Sequence, residues 1–134
     1  MALQWSNNLA TGVAKIDSQH KELFSNINSL LDAMSKGKGD QEISKVFNFL
    51  INYTNSHFGV EETYMQQHSY SDYHAHKSYH ETYKNDFQKL KSKVETQGAK
   101  TSTVLEVQSF LNNWWMNHIQ NVDKKLGSFL QGKI

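Results

Sequence analysis

The chain has 134 residues, 37% of them hydrophobic and 12% aromatic, a length and apolar content that suit one domain with one core. Its 14 Lys and Arg nearly cancel 13 Asp and Glu without clustering, and no apolar run nears the roughly 18 residues of a membrane span, so neither nucleic acid nor a membrane is an expected partner. Cysteine is absent, which excludes disulfides, thiolate sites and cysteine nucleophiles and leaves any transition metal to the carboxylates and the seven histidines.

The opening MALQWSNNLATG lacks the basic-then-apolar layout of a secretory signal, so a soluble, cytoplasmic protein is expected. Residues 1–16, which include Trp5 and Val13, read as an extended arm packed along the rest. Proline is absent, and glycines fall mostly between stretches of helical periodicity. The first predicted helix runs from about Asp17 to Lys36, with Asp17 or Ser18 as N-cap and the stripe His20, Leu23, Phe24, Ile27, Leu30, Leu31, Met34. The second starts at Asp40 as N-cap and reaches about Gln66, with Ile43, Val46, Phe47, Leu50, Thr54, His57, Glu61 and Tyr64 on one face.

The third, from about Asp72 to Thr96, carries Tyr73, His76, His80, Tyr83, Phe87, Leu90 and Val94 in alternating steps of three and four. The fourth follows Gly98, has Thr103 and Glu106 placed for a capping box, presents Val104, Val107, Leu111, Trp114 and His118, and continues past Asp123 to about Leu130. Four amphipathic helices joined by short loops imply an all-α, antiparallel up-down-up-down bundle over residues 17–131, within one domain spanning 1–134.

Every helix places a histidine on its inward stripe. His57 and Glu61, and likewise His76 and His80, are four apart, so each pair projects from one side of its helix. With His20, His118 and Asp123 they make five imidazoles and two carboxylates, whose burial is costly unless a shared metal centre satisfies them together. One spacing is awkward: His118 and Asp123 lie about 140° apart round an ideal α-helix, and a π-type widening or a long side-chain reach would be needed to bring them together.

The segments IDSQHKELF, HFGVEETYM, HAHKSYH and WWMNHIQNVDK resemble the hemerythrin family, in particular its single-domain bacterial members, and the likeness runs over nearly the whole chain. The resemblance implies a non-haem di-iron centre. His76, His80 and His118 would bind one iron, His20 and His57 the other, and Glu61 and Asp123 would bridge them with an oxo or hydroxo group. Two six-coordinate metals so ligated keep one open position, on the metal with two histidines, where dioxygen would bind reversibly. By motif position Leu23, Phe58, Trp114, Trp115 and Ile119 would wall that position with apolar side chains.

His68 and His74 read as surface residues, and Tyr53, Tyr64 and Tyr83 as packing side chains or donors to the ligand carboxylates. Gly59 inside the second helix costs about 1 kcal/mol against Ala and could allow a close helix contact. The expected role is oxygen storage, delivery to an oxygen-using enzyme, or scavenging, in a protein that is a monomer and not itself an enzyme. A di-iron oxidase or peroxidase is the alternative, but it would favour carboxylate-rich Glu-x-x-His ligands, which this chain lacks. An oxygen, nitric oxide or redox sensor working through a separate partner is a third reading.

Overall fold

The computed structural model describes residues 3–134; the first two residues of the expected arm lie outside that range. In chain order there are a 3-10 turn at Asn7–Leu9, α1 (Ala14–Ser35), α2 (Asp40–Gln67), α3 (Tyr73–Gln97), α4 (Thr101–His118), a π turn at Ile119–Asp123 and α5 (Lys124–Leu130). The π turn joins α4 to α5 without interruption, so the described residues form an all-α bundle of four rods. α1 packs on α2 and α4, and α3 packs on the same two, which with short loops gives the up-down-up-down order.

The apolar core has two parts. The larger collects Leu23, Phe24, Ile27, Phe47, Phe58, Phe87, Leu111, Trp115 and Ile119 among others, and the smaller gathers Val13, Ile16, Met65, Tyr70, Leu126 and Leu130. Along the rods a buried polar residue falls between the two: His20 between Ile16 and Leu23, Glu61 between Phe58 and Met65, Asp123 between Ile119 and Leu126. The polar layer is thus sealed at both ends by packed hydrocarbon.

The arm packs along the bundle, burying Leu3 and Leu9 in the larger core and Val13 in the smaller. The helix that follows starts at Ala14, earlier than Asp17. The reason lies in Asp17 itself, whose carboxylate accepts from the Thr11 amide and hydroxyl, both at 2.8 Å, and from the Gly12 amide at 3.3 Å. It therefore caps the turn before the helix from a place inside the first turn, where the helix dipole also favours a negative charge. A further anchor of the arm is Gly127 on α5. A Cβ there would collide with the Thr11 backbone carbonyl, so the hydrogen side chain is what allows the arm to lie against α5.

The capping box expected from Thr103 and Glu106 does not form. α4 begins at Thr101, and the Thr103 hydroxyl donates backward to the carbonyls of Gly98 (2.8 Å) and Lys100 (2.9 Å). Glu106 is taken instead by Lys93 at 2.7 Å. No helix among the described residues is long and apolar enough to cross a membrane.

Candidate metal centre

All seven predicted polar residues are buried, the most exposed being His118 at 4%. α1 supplies His20, α2 supplies His57 and Glu61, α3 supplies His76 and His80, α4 ends on His118, and the π turn ends on Asp123. That π turn resolves the awkward spacing. By widening one turn it brings a residue five positions on back to the same side, and Asp123 Oδ1 comes to 3.1 Å from His118 Nε2.

The distances sort the seven side chains into two sets. Glu61 Oε1 faces His76 Nε2 (3.3 Å) and His80 Nε2 (3.2 Å), while its Oε2 faces His57 Nε2 (3.3 Å) and His20 Nε2 (3.8 Å). Asp123 divides likewise: Oδ1 faces His76 and His118, both at 3.1 Å, and Oδ2 faces His20 at 3.0 Å. Donor atoms from Glu61, His76, His80, His118 and Asp123 all lie within 4.8 Å of one another, as do those from His20, His57, Glu61 and Asp123. Each carboxylate thus spans both sets, one oxygen to each.

The five Nε2 atoms and the four carboxylate oxygens are buried and satisfied by no hydrogen bond. Lone pairs so arranged repel one another unless something positive sits among them. Protons can supply part of that charge. Burial disfavours a charged His76, yet the Asp123 and Glu61 carboxylates facing its Nε2 outweigh it and raise its pKa to about 9; His20 is also raised, against burial, chiefly by Asp123. Burial, and for Glu61 the charge of Asp123, push the two carboxyls up, but the surrounding imidazoles hold both well below the usual carboxylate range. Divalent cations in the same two places would pair with every one of these atoms, and imidazole with carboxylate is a donor set that suits iron, zinc or manganese.

Aromatic rings wall the layer on the larger-core side. Phe58 stacks on His80 (3.8 Å between centroids), and Trp115 lies 6.4 Å from His20 and 6.2 Å from His57. Leu23, Phe58, Trp115 and Ile119 are each 0% exposed. Trp114 stands apart from them. It is partly exposed and stacks on His118 at 4.3 Å, while Trp115 takes the inward place that the α4 stripe had assigned to Trp114. Both tryptophans fall about one turn after Leu111, and the hydrogen bond from Trp115 Nε1 to the buried Tyr83 hydroxyl (3.2 Å) fixes which one turns in.

The periodicity did not single out Gln19 and Glu62. His57 Nδ1 meets Gln19 Oε1 at 2.8 Å, and His80 Nδ1 donates to Glu62 Oε2 at 2.9 Å. Each sits next in sequence to one candidate ligand but bonds another on a different helix, so no spacing rule along one helix would find it. His74 is exposed and His68 partly so, both outside the layer. Gly59 is exposed with no neighbour within 4 Å of an added Cβ, so no close helix contact accounts for it.

His76 and His118 are also where the layer comes nearest the surface. Two clefts meet at Tyr79, Asn121 and Val122, and one is lined by His76, the other by His118. His20 and His57, by contrast, are fully buried.

A family model described as Hemerythrin HHE cation binding domain matches residues 11–130, a span that holds all seven side chains. The chain belongs to the hemerythrin family. It is similar to the bacteriohemerythrin of Pseudomonas aeruginosa, 36% identical over 121 residues that cover 90% of this chain and 76% of that one. It is similar to the bacteriohemerythrin of Methylococcus capsulatus to the same 36%, over 120 residues covering 90% and 89% of the two chains. A crystal structure of wild-type hemerythrin superposes with a TM-score of 0.84 at 33% identity, covering 96% of this chain and 97% of that chain.

Proposed function

We propose that the protein binds dioxygen reversibly at a non-haem di-iron centre. His76, His80 and His118 would hold one iron, His20 and His57 the other, and Glu61 and Asp123, with an oxo or hydroxo group, would be shared by the pair. The observation that carries this reading is the split of each buried carboxylate, one oxygen toward each histidine set, among nine donor atoms without a hydrogen bond. When bound, the iron pair supplies two electrons to dioxygen and recovers them on release. The family membership supports the cation site; dioxygen is the ligand that fits its dry, two-histidine side.

The chain's own residues act chiefly by exclusion. His20 and His57 lie on the side that is closed to solvent, against Trp115, so the less fully ligated half is the drier one. Leu23, Phe58, Trp115 and Ile119 offer no acidic proton there, and a dry, aprotic wall slows loss of reduced oxygen by protonation. Burial raises the pKa of the Tyr83 hydroxyl behind this wall, and that hydroxyl accepts from Trp115 Nε1. Trp114 shields His118 from the solvent side instead. Storage, delivery to an oxygen-using enzyme and scavenging all use this one property.

The test is iron content together with the optical spectrum of anaerobically reduced protein, exposed to air and then purged with argon. Two irons per chain and a colour that appears in air and fades on purging are the expected result. Two irons that oxidise irreversibly would move an oxidase or peroxidase, or a redox sensor, to the front, and a chain that takes up no metal would overturn the reading.

A further inference from the structure

Of the five imidazoles, His57 and His80 have side-chain partners at Nδ1, whereas the Nδ1 atoms of His20 and His76 are buried with no hydrogen bond. The two partners differ in kind. Glu62 presents a carboxylate, which can only accept, so His80 must carry a proton on Nδ1, which leaves Nε2 as the nitrogen that faces Glu61 and the layer. Gln19 presents a neutral carboxamide, which can accept through oxygen or, turned over, donate through nitrogen. The constraint on His57 is therefore weaker in charge and in tautomer.

The two contacts also fall on opposite halves of the centre. His80 belongs with His76 and His118, and His57 with His20, as the facing oxygens of Glu61 divide them. An anionic acceptor on the far nitrogen makes an imidazole a stronger donor, which tightens metal binding and favours the more oxidised metal. The half that already has three histidines thus receives the additional negative charge.

We propose that Glu62 and Gln19 are positioning residues that make the two metal sites unequal: Glu62, through His80, renders the three-histidine site the tighter and more easily oxidised, and Gln19, through His57, leaves its partner site the weaker. This rests on the di-iron reading above. Neither residue touches a metal or dioxygen in it; each acts through one imidazole.

The experiment compares the full-length wild type with Glu62→Gln, Gln19→Glu and the double swap, which restores the total charge. Zinc affinity is measured by competition with a chelator, and the two one-electron potentials are measured on iron-loaded protein. Glu62→Gln keeps the shape and an accepting oxygen while removing the charge. It is expected to weaken the tighter zinc site about 10- to 100-fold and to raise the lower potential, each tenfold change reading as about 59 mV for one electron. Gln19→Glu is expected to tighten the weaker site and bring the two potentials together, and the double swap to invert their order. Unchanged affinities and potentials in Glu62→Gln and Gln19→Glu, both carrying two metals, would overturn this proposal alone. A wild type that does not take up two metals would overturn the function beneath it.

Discussion

The imidazole of His80 lies flat against the ring of Phe58, centroids 3.8 Å and planes 6° apart. That contact makes Phe58 both a core side chain and a wall of the buried polar layer. Replacing it with Ala removes a fully buried ring, a loss of about 3–5 kcal/mol, and opens space where water can collect. Iron-loaded Phe58→Ala is expected to have a lower urea midpoint and a faster irreversible oxidation in air, with Phe58→Leu between it and wild type. An oxidation rate equal to that of wild type would remove Phe58 from the dry wall.

Trp115 Nε1 donates to Tyr83 Oη inside the aromatic cluster. Tyr83→Phe keeps the ring and deletes the acceptor, which leaves a buried indole N–H unsatisfied at a cost of about 1–3 kcal/mol. Denaturant unfolding should register that loss. No loss would mean the indole finds another acceptor nearby.

Two helical glycines should respond oppositely to the same change. Gly59→Ala on the open face of α2 is expected to raise stability by about 0.5–1 kcal/mol, since a Cβ there meets nothing. Gly127→Ala meets the Thr11 carbonyl and should lower stability and release the arm, making residues 3–13 an early protease target. Equal thermal shifts in the two variants would contradict the packing described for the arm.

Metal uptake should release protons. In metal-free protein His76 keeps its proton up to about pH 9 and His20 is also raised, so a cation must displace protons to reach Nε2, and its apparent affinity should fall as pH falls. Zinc titrations in buffers of different ionisation enthalpy would measure this, and proton release of zero at pH 7.5 would contradict it. For stability the sign is reversed. A raised histidine stabilises the metal-free fold fully below its ordinary 6.5 and loses that contribution as pH passes about 9, so removing metal should cost most in alkaline solution.

Much of this was legible from spacing alone. Helix stripes located the seven buried polar residues because a polar residue at an inward position stands out against its periodic neighbours, as Glu61 does after Phe47, Leu50 and Thr54. The step from His118 to Asp123 called for either a π-type widening or a long side-chain reach, and the π turn is the one the chain uses. Which of Trp114 and Trp115 turns inward was not legible, because both satisfy the period and the choice belongs to Tyr83 on another helix. Gln19 and Glu62 escaped for the same reason, and so did the start of α1, where Asp17 serves a turn that precedes it.

The π turn also has a mechanical consequence. An additional residue in one turn rotates everything downstream, so the register that aims Asp123 at the imidazoles is the same register that points Gly127 at Thr11 and Leu126 and Leu130 into the smaller core. Relaxing that turn to a plain α-helix would swing the Asp123 carboxylate out of the layer and the glycine away from the arm in a single motion. The docking of the chain's first segment and the aim of a carboxylate deep in the bundle therefore depend on the same irregular turn.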